Sequence, residues 1–178
     1  MKSATKEKLR KILMKNARLF NMKIKTKKDG YFLNEDFHLF TLIENEIFSW
    51  ELQMTIDFAT EGRIHLMMFL HPVIITTITK PAYIKFANAA NLYLSSAMGR
   101  FWVNDDDFCY EASLPEFLLE YEKELEDQLF DKPFAHFRDC LSPLMKMKNG
   151  EWNAEYAIKY LTELRENGYV DNQEYNLW

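Results

Sequence analysis

Hydrophobic and polar residues alternate strictly along the segment from Phe48 to Phe58. The apolar residues occupy the even-numbered positions, which are Phe48, Trp50, Leu52, Met54, Ile56 and Phe58, and polar residues occupy the odd positions. A period of two puts one side of a strand in a core and the other side in solvent. The pattern therefore predicts a strand of an antiparallel sheet that is covered on one face.

Further strands are predicted on both sides of this segment. The alternation resumes from Ile64 to Leu70 after a turn at Gly62, and the apolar run Phe37–Ile43 precedes it. Val73–Ile78 extends the apolar pattern past Pro72, which is compatible with an edge or a break in a strand. The region is predicted to contain three strands, or four if Pro72 separates the last two.

A helix and a stop signal follow. Thr79 and Pro81 are typical of a helix start, because Thr can accept a bond from an unpaired amide and Pro is tolerated in the first turn. Tyr83, Ala87 and later apolar residues recur at helical spacing. Gly99 is predicted to end the helix in a left-handed conformation.

Next, the sequence predicts a hairpin and another helix start. Arg100–Val103 and Phe108–Leu114 are short aromatic and β-branched runs, separated by the turn formers at 104–107. Ser113 and Glu116 have the spacing of a capping box, in which each side chain bonds the other residue's backbone amide.

The remainder of the chain is predicted to be helical. Apolar residues from Leu118 to Leu129 line one face of a helix that Asp131–Pro133 should break. Phe134–Met147 is predicted to be a second helix and Ala157–Leu164 a third, which Gly168 ends.

These elements define an α+β fold class. The prediction is an antiparallel sheet of about five strands, packed by helices in the order α-β-β-β-α-β-β-α, with extra C-terminal helices. The 178 residues are 48% hydrophobic and 15% aromatic, enough for a sizeable core. We predict one domain over residues 1–178, with a core at 1–131 and a C-terminal helical extension at 132–178.

Charge is distributed unevenly. Residues 1–28 contain 11 of the 22 basic residues and a single acidic residue, Glu7, so the rest of the chain is strongly acidic. The candidate basic contact surface on the first helix consists of Lys6, Lys8, Arg10, Lys11, Lys15 and Arg18. Either this helix packs beside the acidic body, or it contacts nucleic acid or a membrane surface.

Between about residues 80 and 131 the chain has the spacing Asn88-x-x-Asn91, then Gly99-Arg100-Phe101, then Tyr110-x-x-x-Leu114-Pro115. In this part of its core at 1–131, the chain resembles the chaperone-like YbjN family of bacterial proteins. That family is named for sensory transduction regulators and shares its fold with the type III secretion chaperones. The resemblance implies a protein-binding role and a homodimer, and it brings no catalytic residues. It implies that Asn88, Asn91, Arg100 and Phe101 are structural or partner-binding positions.

No catalytic, cofactor or metal motif stands out. The histidines His38, His65, His71 and His136 lack the spacing of a zinc pair, and the acidic turn at 105–107 lacks the glycine and distal glutamate of a calcium loop. The glycines are scattered, which excludes a phosphate-binding glycine loop. Cys109 and Cys140 lie apart and are expected to be ordinary thiols of a reducing compartment.

No apolar run approaches the roughly 20 residues that span a bilayer, and the N-terminal residues lack the apolar core of a signal peptide. We therefore predict a cytoplasmic protein. The resemblance to the YbjN family implies a non-enzymatic protein-binding or chaperone-like module with a regulatory role. It is expected to act on a protein partner or client and to be a homodimer. The alternative is a nucleic-acid-associated regulator that uses the basic N-terminal helix.

Overall fold

Six antiparallel strands form one sheet in this computed structural model, which describes residues 3–20, 22–24, 37–44, 49–57, 62–71, 73–94 and 97–166. The strands are β1 Lys23–Ile24, β2 Phe37–Glu44, β3 Ser49–Asp57, β4 Arg63–His71, β5 Gly99–Val103 and β6 Phe108–Pro115. Their order across the sheet is β1-β2-β3-β4-β6-β5. The hairpin β5–β6 thus joins the meander through β6, and β5 becomes an edge strand.

Helices precede, separate and follow the strands along the chain. They are α1 Ser3–Leu19, α2 Lys80–Tyr93, a 3₁₀ helix Glu116–Glu120, α3 Glu122–Glu126, a π-helical turn Asp127–Asp131, α4 Lys132–Lys148 and α5 Ala154–Glu166. Gly150 has a φ of 73°, so the turn between α4 and α5 uses a conformation that glycine adopts without strain.

The two faces of the sheet differ in burial. Leu52, Met54 and Ile56 of β3 have no solvent exposure, and the even-numbered residues of β4 from Ile64 to Leu70 are equally buried. The intervening side chains of both strands stay half-buried. The predicted alternation in this part of the sheet is therefore confirmed, while Phe48 and Phe58 lie outside the described residues.

The buried face shares one hydrophobic cluster with the helices. Leu9 and Leu13 of α1, Phe86 of α2, Phe137 of α4 and Leu161 of α5 all belong to it. The C-terminal helices thus bury side chains in the same core as the sheet.

The α+β class is confirmed, but the described residues form a sheet of six strands instead of about five. The two-residue strand β1 pairs with β2 and places four strands before α2, so the element order also differs from the predicted one. Residues 73–76 beyond β4 have no regular secondary structure. Thr79 does not cap α2 with its side chain, because its hydroxyl instead accepts a bond from the Thr76 amide at 2.9 Å.

Three local predictions were wrong for identifiable reasons. Gly99 is the first residue of β5 and lacks a positive φ, so it is not a left-handed helix end. Ser113 lies within β6 and the amide of Glu116 donates to the Gly62 carbonyl, which leaves no capping box. The helical path also continues through Asp131, because Pro133 sits in the first turn of α4, where a missing amide costs little.

Candidate functional site

The side chain of Asn91 on α2 lies against the edge of β5 that does not pair with β6. Its Nδ2 donates to the Phe101 carbonyl at 2.9 Å, and the Phe101 amide donates back to Asn91 Oδ1. The side-chain amide thereby reproduces both bonds of a neighbouring strand. Of the two asparagines of the motif, Asn91 thus bonds the backbone of β5, whereas the Asn88 side chain is exposed.

The two hydrogen bonds between Asn91 and Phe101 limit how a partner can bind to β5. An uncovered edge strand can add a strand from another chain, and native proteins protect such edges. Because Asn91 already satisfies Phe101, the middle of β5 is unavailable for strand addition.

Arg100 and Phe101 point to opposite faces of the sheet. Phe101 is 3% exposed, and its ring packs against those of Phe108, Tyr110 and Phe137, with centroid distances of 5.0, 5.2 and 5.2 Å. Arg100 lies on the other face, where its Nε and Nη2 donate to Glu111 Oε1 at 2.8 and 2.6 Å. One motif position therefore belongs to the core and the other to the surface.

Gly99 fits a close approach between β5 and β6. A Cβ atom at this position would lie 2.3 Å from Tyr110 Cζ and 2.5 Å from the Glu111 carbonyl oxygen. Only glycine avoids these clashes. Sequence reasoning missed this role because nothing local marks the approach of a residue eleven positions later.

The face opposite the core, which we call the second face, carries a mixed apolar and charged surface. Strand register aligns Trp102, Cys109 and Phe69 in one row and Arg100, Glu111 and Met67 in the next. A groove follows the second row, and its lining side chains include Asp57, His65, Met67, Met98, Arg100 and Glu111. Met98 is 55% exposed at its rim. The flexible methionines can adapt to apolar side chains of different shapes.

The basic helix α1 packs on the rest of the protein through its buried apolar side chains and through one ion pair. Leu9, Ile12 and Leu13 are at most 2% exposed. Lys15 Nζ lies 2.7 Å from Glu126 Oε1 and 3.8 Å from Glu122 Oε1. The hydrogen bond that Lys15 donates to Glu126 raises the pKa of Lys15, as expected for a favourable pair.

The other candidate cations differ in exposure. Lys6 is half-buried, while Lys8, Arg10, Lys11 and Arg18 are exposed. Lys15 is thus engaged within the chain, and the four exposed cations lie at the surface of α1.

The buried titratable groups of the described residues include two thiols and, on α4, a histidine and an aspartate. Cys109 and Cys140 are free, and burial raises the pKa of the Cys109 thiol to about 12, so the thiol is protonated at neutral pH. On α4, burial lowers the pKa of His136 to about 4 and raises that of Asp139 to about 6. Asp139 Oδ2 has no hydrogen-bond partner among the described residues.

Within the described residues, no group of three or more His, Cys, Asp or Glu side chains could hold a metal ion. Among those same residues, no helix combines the length and apolarity needed to cross a membrane.

Comparison with protein-family models, curated proteins and solved structures gave no match. These comparisons neither support nor refute the resemblance to the YbjN family, which stays a prediction.

Proposed function

We propose that the protein is a non-enzymatic, chaperone-like module that binds a protein partner through the groove on the second face. The observation that carries this proposal is the groove itself, which places exposed Met98 and half-buried Met67 beside the Arg100–Glu111 ion pair. Apolar side chains that remain accessible next to fixed charges are typical of a partner surface.

The protected edge of β5 adds to this argument. Since Asn91 blocks strand addition at Phe101, an incoming segment is directed to side chains of the second face. We further propose that the protein works in the cytoplasm, where its two free cysteines stay reduced. A homodimer, also proposed, would use the same face of the sheet.

Site-specific photo-crosslinking tests the groove. The photoreactive residue p-benzoylphenylalanine replaces Met98 in the groove or, as the matched control, Ile78, which is 90% exposed and does not line the groove. We expect protein adducts from Met98 that survive nuclease treatment and disappear when Met67→Glu places a charge in the groove. Equal adducts from both positions, or adducts indifferent to Met67→Glu, would rule out this surface.

The second candidate function is nucleic-acid binding by α1. It is favoured by the exposure of Lys8, Arg10, Lys11 and Arg18 on one helix. Binding to mixed-sequence DNA or RNA should then weaken with salt and weaken further in the double variant Lys11→Gln, Arg18→Gln. Unchanged binding in this variant would exclude the helix as the contact.

A further inference from the structure

Two aromatic rings are exposed on the segment that joins β6 to α4. Phe117 is 60% and Tyr121 61% exposed, whereas Leu118 and Leu119 between them are buried. The two ring centroids lie 6.5 Å apart with their planes at 90°, an edge-to-face pair. The buried leucines anchor the segment, so the rings are presented to solvent in a defined arrangement.

A groove borders the pair on each side. Phe117 lines the first groove, which Ala4 and Lys8 of α1 complete together with Glu120. Tyr121 lines the second, whose other walls include Glu124 and Asp131. The rings thus form the ridge between two depressions.

The surroundings of this ridge are strongly acidic. Residues 116–131 contain seven carboxylates and one lysine. Glu126 is paired with Lys15 and Asp127 with Lys132, at 2.7 and 2.6 Å. Among the residues that the structure describes, Glu120 and Asp131 have no cationic partner within 4.0 Å.

The surroundings of Asp131 disfavour the ionised form of its carboxyl group. Partial burial, and then the nearby charges of Asp127 and Glu126, raise the pKa of the Asp131 carboxyl. A positive charge brought to this carboxylate would relieve that repulsion.

We propose that the Phe117–Tyr121 ridge is a docking surface for a basic amphipathic segment of a partner protein. An apolar side chain of the segment packs on the two rings, and its Lys or Arg residues reach Glu120 in one groove and Asp131 in the other. Each groove is also lined by a lysine, Lys8 in the first and Lys123 in the second, but carboxylates outnumber lysines in both. Charge complementarity therefore selects this partner, because an acidic segment would face net repulsion from both grooves. Lys or Arg side chains also gain from contact with the faces of exposed aromatic rings.

Fluorescence anisotropy of a labelled helical peptide of Leu and Lys with the full chain tests the proposal. A peptide with Glu in place of each Lys reports on charge selection. We expect the Leu/Lys peptide alone to bind, and Phe117→Ser or Tyr121→Ser to weaken its binding by about tenfold, as for an aromatic anchor of an interface. The double variant Glu120→Gln, Asp131→Asn should weaken binding and reduce its salt dependence.

Tyr156→Ser is the matched control, since Tyr156 on α5 is an exposed tyrosine, 63% accessible, that lines neither groove. Circular dichroism melting checks that each variant is folded, and two independent ring variants keep the test valid if one unfolds. Equal losses in Tyr156→Ser and Tyr121→Ser, or equal binding of the Glu peptide, would overturn the proposal. Self-association that the ring variants abolish would also overturn it, because a second copy would then be the occupant.

Discussion

At the scale of single residues, Asn91 is a backbone substitute. It gives the edge of β5 the two hydrogen bonds that a further strand would supply. Asn91→Ala removes both and leaves a partly buried amide and carbonyl unsatisfied, so we expect unfolding free energy to fall by about 1 to 3 kcal/mol. Urea denaturation measures this change. Asn88→Ala, at an exposed position on the same helix, serves as the control and should cost far less; equal losses would show that the Phe101 bonds contribute little.

Two buried groups on α4 should have opposite effects on how the stability of the protein depends on pH. Burial raises the pKa of Asp139 from 3.8 to about 6, so folding favours its protonated form and its contribution to stability is lost as pH rises from about 4 to 6. Burial lowers the pKa of His136 from 6.5 to about 4, so folding favours the neutral ring and its contribution is lost as pH falls through the same range. The two effects largely cancel in the intact protein.

The substitution Asp139→Asn should remove the pH effect of Asp139 and leave that of His136. Above pH 6 the variant avoids a buried carboxylate whose Oδ2 has no partner among the described residues, and we expect a gain of about 1 to 3 kcal/mol over the original chain. Near pH 4 the gain should vanish, leaving a variant that loses stability on acidification through His136. Urea denaturation over a pH series gives the difference curve, with exposed Asp106→Asn as its control. A variant less stable than the original at neutral pH would contradict this account.

At the scale of elements, burial on β3 alternates residue by residue. Leu52 has no exposure and Gln53 is half-buried on the second face. Leu52→Asp puts an unpaired charge in the core and should unfold or severely destabilise the protein, while Gln53→Asp should cost little. Thermal melting followed by circular dichroism compares the two. Similar melting temperatures for both variants would mean that the faces of β3 have been assigned the wrong way round.

The strands and helices differ in how far the sequence predicts them. Alternation placed the described residues of β3 and β4 correctly, because the side-chain period of a strand is independent of its neighbours. The role of Gly99 depends instead on the Tyr110 ring of the facing strand, which no local pattern contains. The break predicted at Asp131–Pro133 failed because proline is compatible with a first helical turn, and the preceding π-helical turn leads directly into α4.

Surface sites were predictable only in part. The spacing singled out Asn91, which bonds the backbone of β5. The Phe117–Tyr121 ridge went unnoticed, because exposed aromatics follow the same helical spacing as buried ones. Tyr121 illustrates this point, since its position in the pattern of Leu118 and Leu125 suggested burial, yet it is 61% exposed. The 3₁₀ helix that precedes α3 changes the angular spacing and turns this ring outwards.

At the scale of the whole molecule, the helices bury one face of the sheet and leave side chains of the second face accessible. The row of Trp102, Cys109 and Phe69 crosses three adjacent strands there. Cys109 is fully buried, while Trp102 and Phe69 remain partly exposed at its sides. An apolar row of this kind can pair with its own copy across a two-fold axis.

We therefore predict a homodimer that buries at least about 1,000 Å² in total, the lower limit for a specific interface. Size-exclusion chromatography with light scattering on the full chain measures the mass. The full chain is required, since Phe137 and Leu161 of the C-terminal helices lie in the common core. Phe69→Asp should yield a folded monomer, because the two copies of the dimer would each place a charge in the same apolar interface. The control variant Ile78→Asp changes a position that is 90% exposed and should remain a dimer. A monomeric full chain at all concentrations would exclude the dimer and leave the second face to a different protein.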